Sequence, residues 1–493
     1  MTPHPRTAAP TISLAYSTVT LNGEGRVARE TPQSGGRAGV VAAATVLVVA
    51  LAVALTAVFA GPDVVRVLGL GDGRSTTWKA GIPAEPPPVV LAAMDSQVPM
   101  PSQAGVAAVL APLLAAPALG PHITASVVDV ATGQVLYSSE PDAAMTPAST
   151  TKVVTAAAVL AALGPAYRIK TRVVAGTQPG EVVIVGGGDP TLAVFPTSFY
   201  PGAPRLDDLA AQVKEALGDA APTRVIYDVS LYTGPGIEPG WDSDATTGGS
   251  GAVITPLMTE GARRNPTRYS ARFPQPEVQA AQAFAKVLGL PQSAVAAGTA
   301  PQGTKELGKV ESAPLVRLVE TMLLESDNVL ADALARQVAI AKGQPASFEG
   351  GAAAMKTVLA ELNLPVTGYG LVDGSGFSRT NRLSPALLTG VLAMAARSDR
   401  AEMRGIFSGL PVAGYSGTLA TRFTKAQDGA AAAGLVRAKT GTLTGVNSLA
   451  GIAVDADGRA LAFAFMADQT TDGGQAVVAL DRVAAALAAC GCR

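Results

Sequence analysis

The 493-residue chain reads as a mixed α/β (α+β) protein: one antiparallel sheet between helices, interrupted by an inserted second domain. Three observations predict this. Near the start of the folded region, Ile123–Val130 and Gln134–Tyr137 are strand-like runs joined by a turn at Gly133, and an apolar helix starts at Ser149. Near the other end, Val446–Val454 and Ala460–Met466 form a hairpin pattern turned at Asp457-Gly458, followed by an apolar-faced helix, Gln475–Ala489. Between them the chain changes character, and the roughly 180 residues from Ser149 to Ser326 exceed a common domain length of about 100–150.

Taken in order, residues 1–37 carry no sustained periodicity and read as a disordered cytoplasmic tail. Residues 38–60 read as a transmembrane anchor. No charge occurs between Arg37 and Asp63, and Val40–Ala60 is almost wholly Val, Ala and Leu. A helix of about 21 residues rising ~1.5 Å each spans the ~30 Å hydrocarbon core. Arg26, Arg29 and Arg37 precede it, which leaves the N-terminus cytoplasmic and the catalytic region outside, held to the cell membrane by a single pass. The alternative is a signal peptide cleaved after Val58-Phe59-Ala60, giving a secreted protein. Residues 61–103 form a Pro-rich linker, with Pro86, Pro87 and Pro88 in a row. A helix near Ala104–Ala116 opens the catalytic domain, whose first part is 104–170 and whose second is 305–493. The inserted domain is 171–304, with short strands at Val182–Val185 and Arg224–Tyr227.

Composition excludes several classes of function. A formal net charge of −1 gives no reason to expect nucleic acid as a partner. Two histidines and two cysteines are too few for the usual zinc sites, so no metal and no cofactor is expected. Cys490 and Cys492 are one residue apart at the C-terminus. A disulfide between them would be strained, and they read as a dispensable tail feature. His4 precedes the apolar segment and His122 precedes a strand, where a structural role suits it. No G-x-S-x-G elbow occurs in the chain. Lysine is therefore the expected base for a serine nucleophile here.

Three short motifs supply both. Ser149-Thr150-Thr151-Lys152, Ser326-Asp327-Asn328 and Lys439-Thr440-Gly441 stand in this order along the chain. A serine hydroxyl is a weak nucleophile until a neighbour takes its proton. Residues three apart on a helix share a face, so Ser149 and Lys152 can meet. A helix N-terminus also favours negative charge, which suits an oxyanion at Ser149. Together the motifs form the serine-lysine acyl-transfer signature of penicillin-binding proteins and serine β-lactamases.

With further segments in view, the chain resembles the class C low-molecular-mass penicillin-binding proteins, the D-alanyl-D-alanine carboxypeptidase/endopeptidase family. Gly186-Gly187-Gly188-Asp189-Pro190-Thr191-Leu192 resembles a G-G-D-P-T-L turn, and Asp373-Gly374-Ser375-Gly376-Phe377-Ser378-Arg379 resembles D-G-S-G-L-S-R. Ser416-Gly417-Thr418-Leu419 and Arg422 resemble another family stretch. The resemblance covers about 104 to 488 and implies a serine β-lactamase/penicillin-binding-protein transpeptidase-like fold. The stretch from Trp241 to Ser326 is shorter than many family members carry, so a second domain is expected and a third is missing or reduced.

The resemblance also implies roles. Ser149 would attack the carbonyl of the penultimate D-Ala of a peptidoglycan stem peptide, and β-lactam antibiotics would acylate it. Lys152 would be the base, Ser326 would pass the proton to the leaving D-Ala, and Asn328 would hold the substrate amide and Lys152. Lys439 would supply positive potential and Thr440 would bind the substrate carboxylate. Gly441 would leave room for the substrate backbone, and the N–H groups of Ser149 and Thr442 would form the oxyanion hole. Arg379 and Asp244, with Asp242 as its competitor, would contact the stem-peptide side chain. A serine β-lactamase and a non-catalytic wall-binding scaffold are the alternatives. No E-x-x-L-N setting for a deacylating glutamate occurs between Asn328 and Lys439, and every catalytic side chain is present.

Overall fold

A computed structural model describes residues 98–267, 269–397, 399–424 and 429–493. The expected cytoplasmic tail, the anchor and nearly all of the linker lie outside the described residues. Among the described residues no helix is long and apolar enough to cross a membrane.

The central sheet draws on both ends of the described chain. Its strands are β1 (His122–Asp129), β2 (Val135–Ser139), β8 (Val436–Leu443), β9 (Val446–Val454) and β10 (Ala460–Asp468). They lie in the order β2-β1-β10-β9-β8, every pair antiparallel. The expected hairpin is β9–β10, and Lys439-Thr440-Gly441 lies on the edge strand β8.

β10 shows why the sheet needs cover on both sides. Ala462, Ala464 and Met466 face one core, while Leu461, Phe463 and Phe465 face the other. Strand side chains alternate between faces, so a strand apolar throughout has to be buried twice. The first core is closed by α2 (Thr151–Leu163), α5 (Leu315–Leu324), α6 (Asn328–Ala341), α7 (Phe348–Glu361) and α8 (Pro385–Ala396). The second is closed by α1 (Gln103–Leu114) and α9 (Gly473–Ala488), through Leu110, Val483 and Leu487. Helix α2 is apolar apart from Thr151, Lys152 and Thr155, and its residues from Thr151 to Leu160 are buried, as expected of a helix enclosed by others.

The C-terminal tail packs against the second core. The structure joins Cys490 to Cys492, despite their spacing, and Cys490 is buried. The tail folds back on the start of α1, where Ser102 N–H donates to the Cys492 carbonyl at 2.6 Å. His122 has the structural place expected of it, with Nδ1 3.1 Å from Asp468 Oδ1, its cross-strand neighbour.

The inserted part forms a second five-stranded sheet, β6-β5-β4-β3-β7. Its strands are β3 (Lys170–Ala175), β4 (Glu181–Val185), β5 (Arg224–Asp228), β6 (Val295–Ala297) and β7 (Glu306–Glu311). β4, β5 and β6 are parallel, and β3 runs antiparallel to β4 and β7. Helices α3 (Leu206–Leu217) and α4 (Pro276–Leu288) cover it through Leu209, Val213 and Phe284. The sequence-based limits of 171 and 304 fall inside this unit, because β3 starts at Lys170 and β7 continues to Glu311. The apolar run in β7 is too short and too interrupted by charge to show as a strand before its partner is known.

Candidate active site

Ser149 sits in a 3-10 turn, Ala148–Thr150, that feeds directly into α2. The turn is strained, since Ala148 has φ 48°, a left-handed value unfavourable for a residue with a side chain. Neighbours fix it from three directions. Thr150 Oγ1 donates to the Pro147 carbonyl at 2.7 Å and Thr151 Oγ1 to the Ala148 carbonyl at 2.9 Å. From β9, Ser448 Oγ donates to the same Pro147 carbonyl at 2.7 Å. Edge strand β8 comes so close that a Cβ on Gly441 would run into Ser448 Oγ and stand 2.7 Å from the Pro147 carbonyl oxygen. That approach requires glycine.

One turn along α2, Lys152 is wholly buried and its Nζ has three partners. They are Ser149 Oγ at 2.9 Å, Asn328 Oδ1 at 2.5 Å and the Ser375 carbonyl at 2.7 Å. The last two can only accept, because Asn328 turns its Nδ2 to the Ser250 carbonyl at 2.9 Å. A neutral amine therefore spends its two hydrogens on Asn328 and Ser375 and keeps its lone pair for Ser149, the one partner with a proton to give. Burial drives the Lys152 ammonium down to about 8, against the pull of Asp332, Asp373 and Asp327. The geometry and the lowered proton affinity both suit a base.

The second motif bridges α5 and α6. Ser326 has φ 57°, so the chain turns sharply before Asn328 opens α6. Asp327 is the helix cap: its Oδ1 accepts from Leu330 N–H at 3.0 Å, while its Oδ2 accepts from Arg263 Nη2 and Tyr200 Oη, each at 2.8 Å. Arg263 also reaches Tyr200 Oη at 2.7 Å and lies 3.7 Å over the Phe199 ring. Burial opposes the Asp327 charge, but Arg263 and Arg272 outweigh it and hold the carboxyl far below its usual range.

On β8, Lys439 is wholly buried, with Nζ 2.9 Å from the Thr440 carbonyl. Burial, then the charges of Lys152 and Arg422, lower its proton affinity. Lys439 with Lys152 and Arg422 nearby makes this edge of the site electropositive, which suits an anionic ligand. Thr440 Oγ1 donates to Thr418 Oγ1 at 2.9 Å, which brings the Ser416-Gly417-Thr418-Leu419 segment to the motif. Arg422 is held by buried Asp481 on α9. Strand parity places the expected oxyanion donor. Ala438 N–H points outward to the Pro411 carbonyl at 2.9 Å, so Thr440 and Thr442, two and four residues on, also turn their N–H groups away from β9.

Of the two aspartates expected near Arg379, Asp242 is the one beside it. Arg379 Nη2 lies 3.7 Å from Asp242 Oδ2, and Nη1 donates to the Thr444 carbonyl at 2.9 Å. Asp244 makes no ion pair with Arg379. Its backbone carbonyl accepts from Gly248 N–H at 2.7 Å and closes a turn. Trp241 fixes this loop by donating Nε1 to Asp373 Oδ2 at 2.9 Å.

Sequence reasoning missed Ser375, whose carbonyl binds the base, and Ser250, which orients Asn328. Both act through the backbone, which leaves no residue-type signal. It also missed Arg263 and Tyr200, which reach the second motif from the insert.

The model of the D-Ala-D-Ala carboxypeptidase 3 (S13) family matches residues 106–270 and 257–487. A carboxypeptidase of Mycobacterium tuberculosis is 40% identical over 429 residues, covering 85% of this chain and 92% of that protein. Carboxypeptidase DacB of Mycolicibacterium smegmatis is 40% identical over 439 residues, covering 87% of this chain and 94% of that protein. The crystal structure of penicillin binding protein 4 from Haemophilus influenzae shares the fold, with a TM-score of 0.63 at 22% identity, covering 78% of this chain and 98% of that one.

Proposed function

The chain belongs to the D-Ala-D-Ala carboxypeptidase 3 (S13) family, and from that premise we propose that Ser149, Lys152, Ser326, Asn328 and Lys439 carry out its acyl transfer. The protein is a serine-type carboxypeptidase acting on peptidoglycan stem peptides, and β-lactams acylate it. The observation that carries the assignment is the buried contact of 2.9 Å between Lys152 Nζ and Ser149 Oγ, with the other two Nζ partners pure acceptors.

Lys152 takes the Ser149 proton as Oγ attacks the carbonyl carbon of the penultimate D-Ala. The oxyanion lies between the N–H groups of Ser149 and Thr442, each such donor contributing about 2.7–4 kcal/mol. The C–N bond then breaks, and the proton passes from Lys152 through Ser326 to the leaving amine. The acyl-enzyme ester remains until water, activated by the reverse route, releases the shortened peptide. Lys439 and Thr440 receive the terminal carboxylate. Arg379 with Asp242 faces the stem-peptide side chain, where a diamino-acid end bearing ammonium and carboxylate would satisfy both. The Val40–Ala60 stretch anchors the protein in the membrane, with the catalytic region outside. Recovery of the full chain in the soluble fraction alone would refute that part.

The test is to incubate the described region with a fluorescent penicillin and with a D-Ala-D-Ala-terminated pentapeptide. Covalent label on Ser149 and release of one D-Ala are expected. Undiminished labelling of a folded Ser149→Ala protein would overturn the assignment.

A further inference from the structure

The Ser416-Gly417-Thr418-Leu419 segment touches two of the three motifs, yet the roles above give it no part. Leu419 is buried in the second core, and Ser416 Oγ accepts from Val412 N–H at 3.0 Å, so both ends of the segment are fixed. Between them Gly417 has φ 53° and lies against the end of α5. A Cβ there would stand 2.6 Å from the carbonyl oxygen of Leu324, two residues before Ser326. Thr418 follows in the 3-10 turn Gly417–Leu419, exposed, with its Oγ1 2.9 Å from Thr440 Oγ1 on β8. The segment therefore bridges the second motif and the third.

A pair of hydroxyls holds two hydrogens, and the bond between them uses one. The other is free for a ligand whichever way the pair is turned. With an anion present both can turn outward, and two O–H donors side by side match the two oxygens of a carboxylate, as the fork of an arginine does. The nearby cations are committed elsewhere. Arg422 directs its Nε and Nη2 to Asp481, and Lys439 Nζ donates to the Thr440 carbonyl at 2.9 Å. They supply positive potential while the hydroxyls supply contacts. The path of the chain shows which carboxylate would be met. Residues 411–413 cover the outer edge of β8, where Ala413 N–H donates to the Val436 carbonyl and Ala438 N–H to the Pro411 carbonyl, each at 2.9 Å. An extended peptide with its reacting carbonyl at Thr442 N–H, continuing past Thr440, runs into this cover one residue later.

We propose that Thr418 is a specificity-determining residue: with Thr440 it forms a two-hydroxyl receptor for the free carboxylate of the leaving residue. A carboxylate accepts from both hydroxyls with the strength of a charged acceptor. A terminal amide offers one acceptor, one donor and no charge, so it gains less from the second hydroxyl. Thr418 thereby favours a free chain end over a capped one. This rests on the reading of Thr440 as the residue that binds the carboxylate.

The test compares peptides ending in D-Ala-D-Ala and in D-Ala-D-alaninamide, and reads the ratio of their kcat/KM values from release of the last residue. Thr418→Val keeps the shape and removes the hydroxyl, and should lower the ratio of acid to amide about five- to tenfold. Thr418→Ser restores the hydroxyl and should keep the parental ratio. A structural Thr418 would lower both rates alike, so an unchanged ratio in Thr418→Val overturns the assignment, as does a serine variant that loses as much as the valine one. Should the valine protein fail to fold, Thr418→Ala compared with Thr418→Ser reads the same difference. A parent without preference for the acid would remove the carboxylate site at Thr440, and this proposal with it. Penicillin labelling of Ser149, measured alongside, separates that outcome from a failure of acyl transfer itself.

Discussion

Replacing Asp327 with alanine should destabilise the protein far more than one lost contact suggests. Arg263 and Asp327 are both 2% or less exposed at the side chain and 2.8 Å apart. Truncating Asp327 leaves a buried guanidinium with only the Tyr200 hydroxyl and the Glu260 carbonyl as acceptors. Breaking a buried pair from one side costs about 3–5 kcal/mol, and losing the cap on Leu330 N–H adds about 1 kcal/mol. A loss of about 4–6 kcal/mol is a large share of the ~5–15 kcal/mol that holds a typical domain folded. The assay is urea unfolding of the described region followed by Trp241 fluorescence. Removing both charges, as Arg263→Met with Asp327→Ala, should cost less than the sum of the single changes, because no unpaired charge stays buried. The pH dependence has a definite sign. The folded carboxyl is held below its ordinary 3.8, so its stabilisation is present above that value and is lost as the pH falls through and below it. Parent and variant should therefore converge in acid. A single-variant loss under about 1 kcal/mol, well below a broken buried pair, or simple additivity, would refute the reasoning.

Lys152→Arg should lower acylation by about two to four orders of magnitude, as Lys152→Ala does, because arginine does not deprotonate in proteins. In the parent, the rate should rise about tenfold per pH unit below the Lys152 value of about 8 and level off above it, and near-parental acylation by the arginine variant would make Lys152 only a fixed charge. Gly441→Ala forces β8 away from the Pro147 carbonyl, a strain of about 1–3 kcal/mol, so acylation should fall about ten- to hundredfold. A fully active alanine variant would show that the strand yields freely. Arg379→Ala and Asp242→Ala should each reduce kcat/KM for a diaminopimelate-containing peptide about tenfold, ~1.4 kcal/mol, while penicillin acylation stays unchanged. A larger loss from Asp244→Ala than from Asp242→Ala would return the subsite to Asp244.

The catalytic side chains were legible because chemistry of this kind needs particular residue types at helical and strand spacings. Ser149 and Lys152 meet because they are three apart on a helix, and Lys439 lies on a strand because its neighbours alternate. The central sheet was legible through the apolar runs of β9 and β10 and the Asp457-Gly458 turn between them. Contacts made by backbone carried no such signal, so Ser375 and Ser250 were silent. So were partners set by a loop's path. Asp242 and Asp244 are the same residue type two positions apart, and only the folded loop places Asp242 beside Arg379. The β7 strand was hidden because its apolar character appears only once β3 is beside it.

The closure of the central sheet has a consequence for how activity arises during folding. Strand β1 finds its partner in β10, and Arg459 reaches Asp129 across 330 positions of sequence. The nucleophile turn is braced by Ser448 of β9, and the cationic edge comes from β8, both made long after Ser149. Contacts so distant along the chain form late and slowly. A ribosome can expose the nucleophile's whole helix while the turn still lacks its brace and the cleft its cations. The site as described is therefore complete only once the sheet has closed.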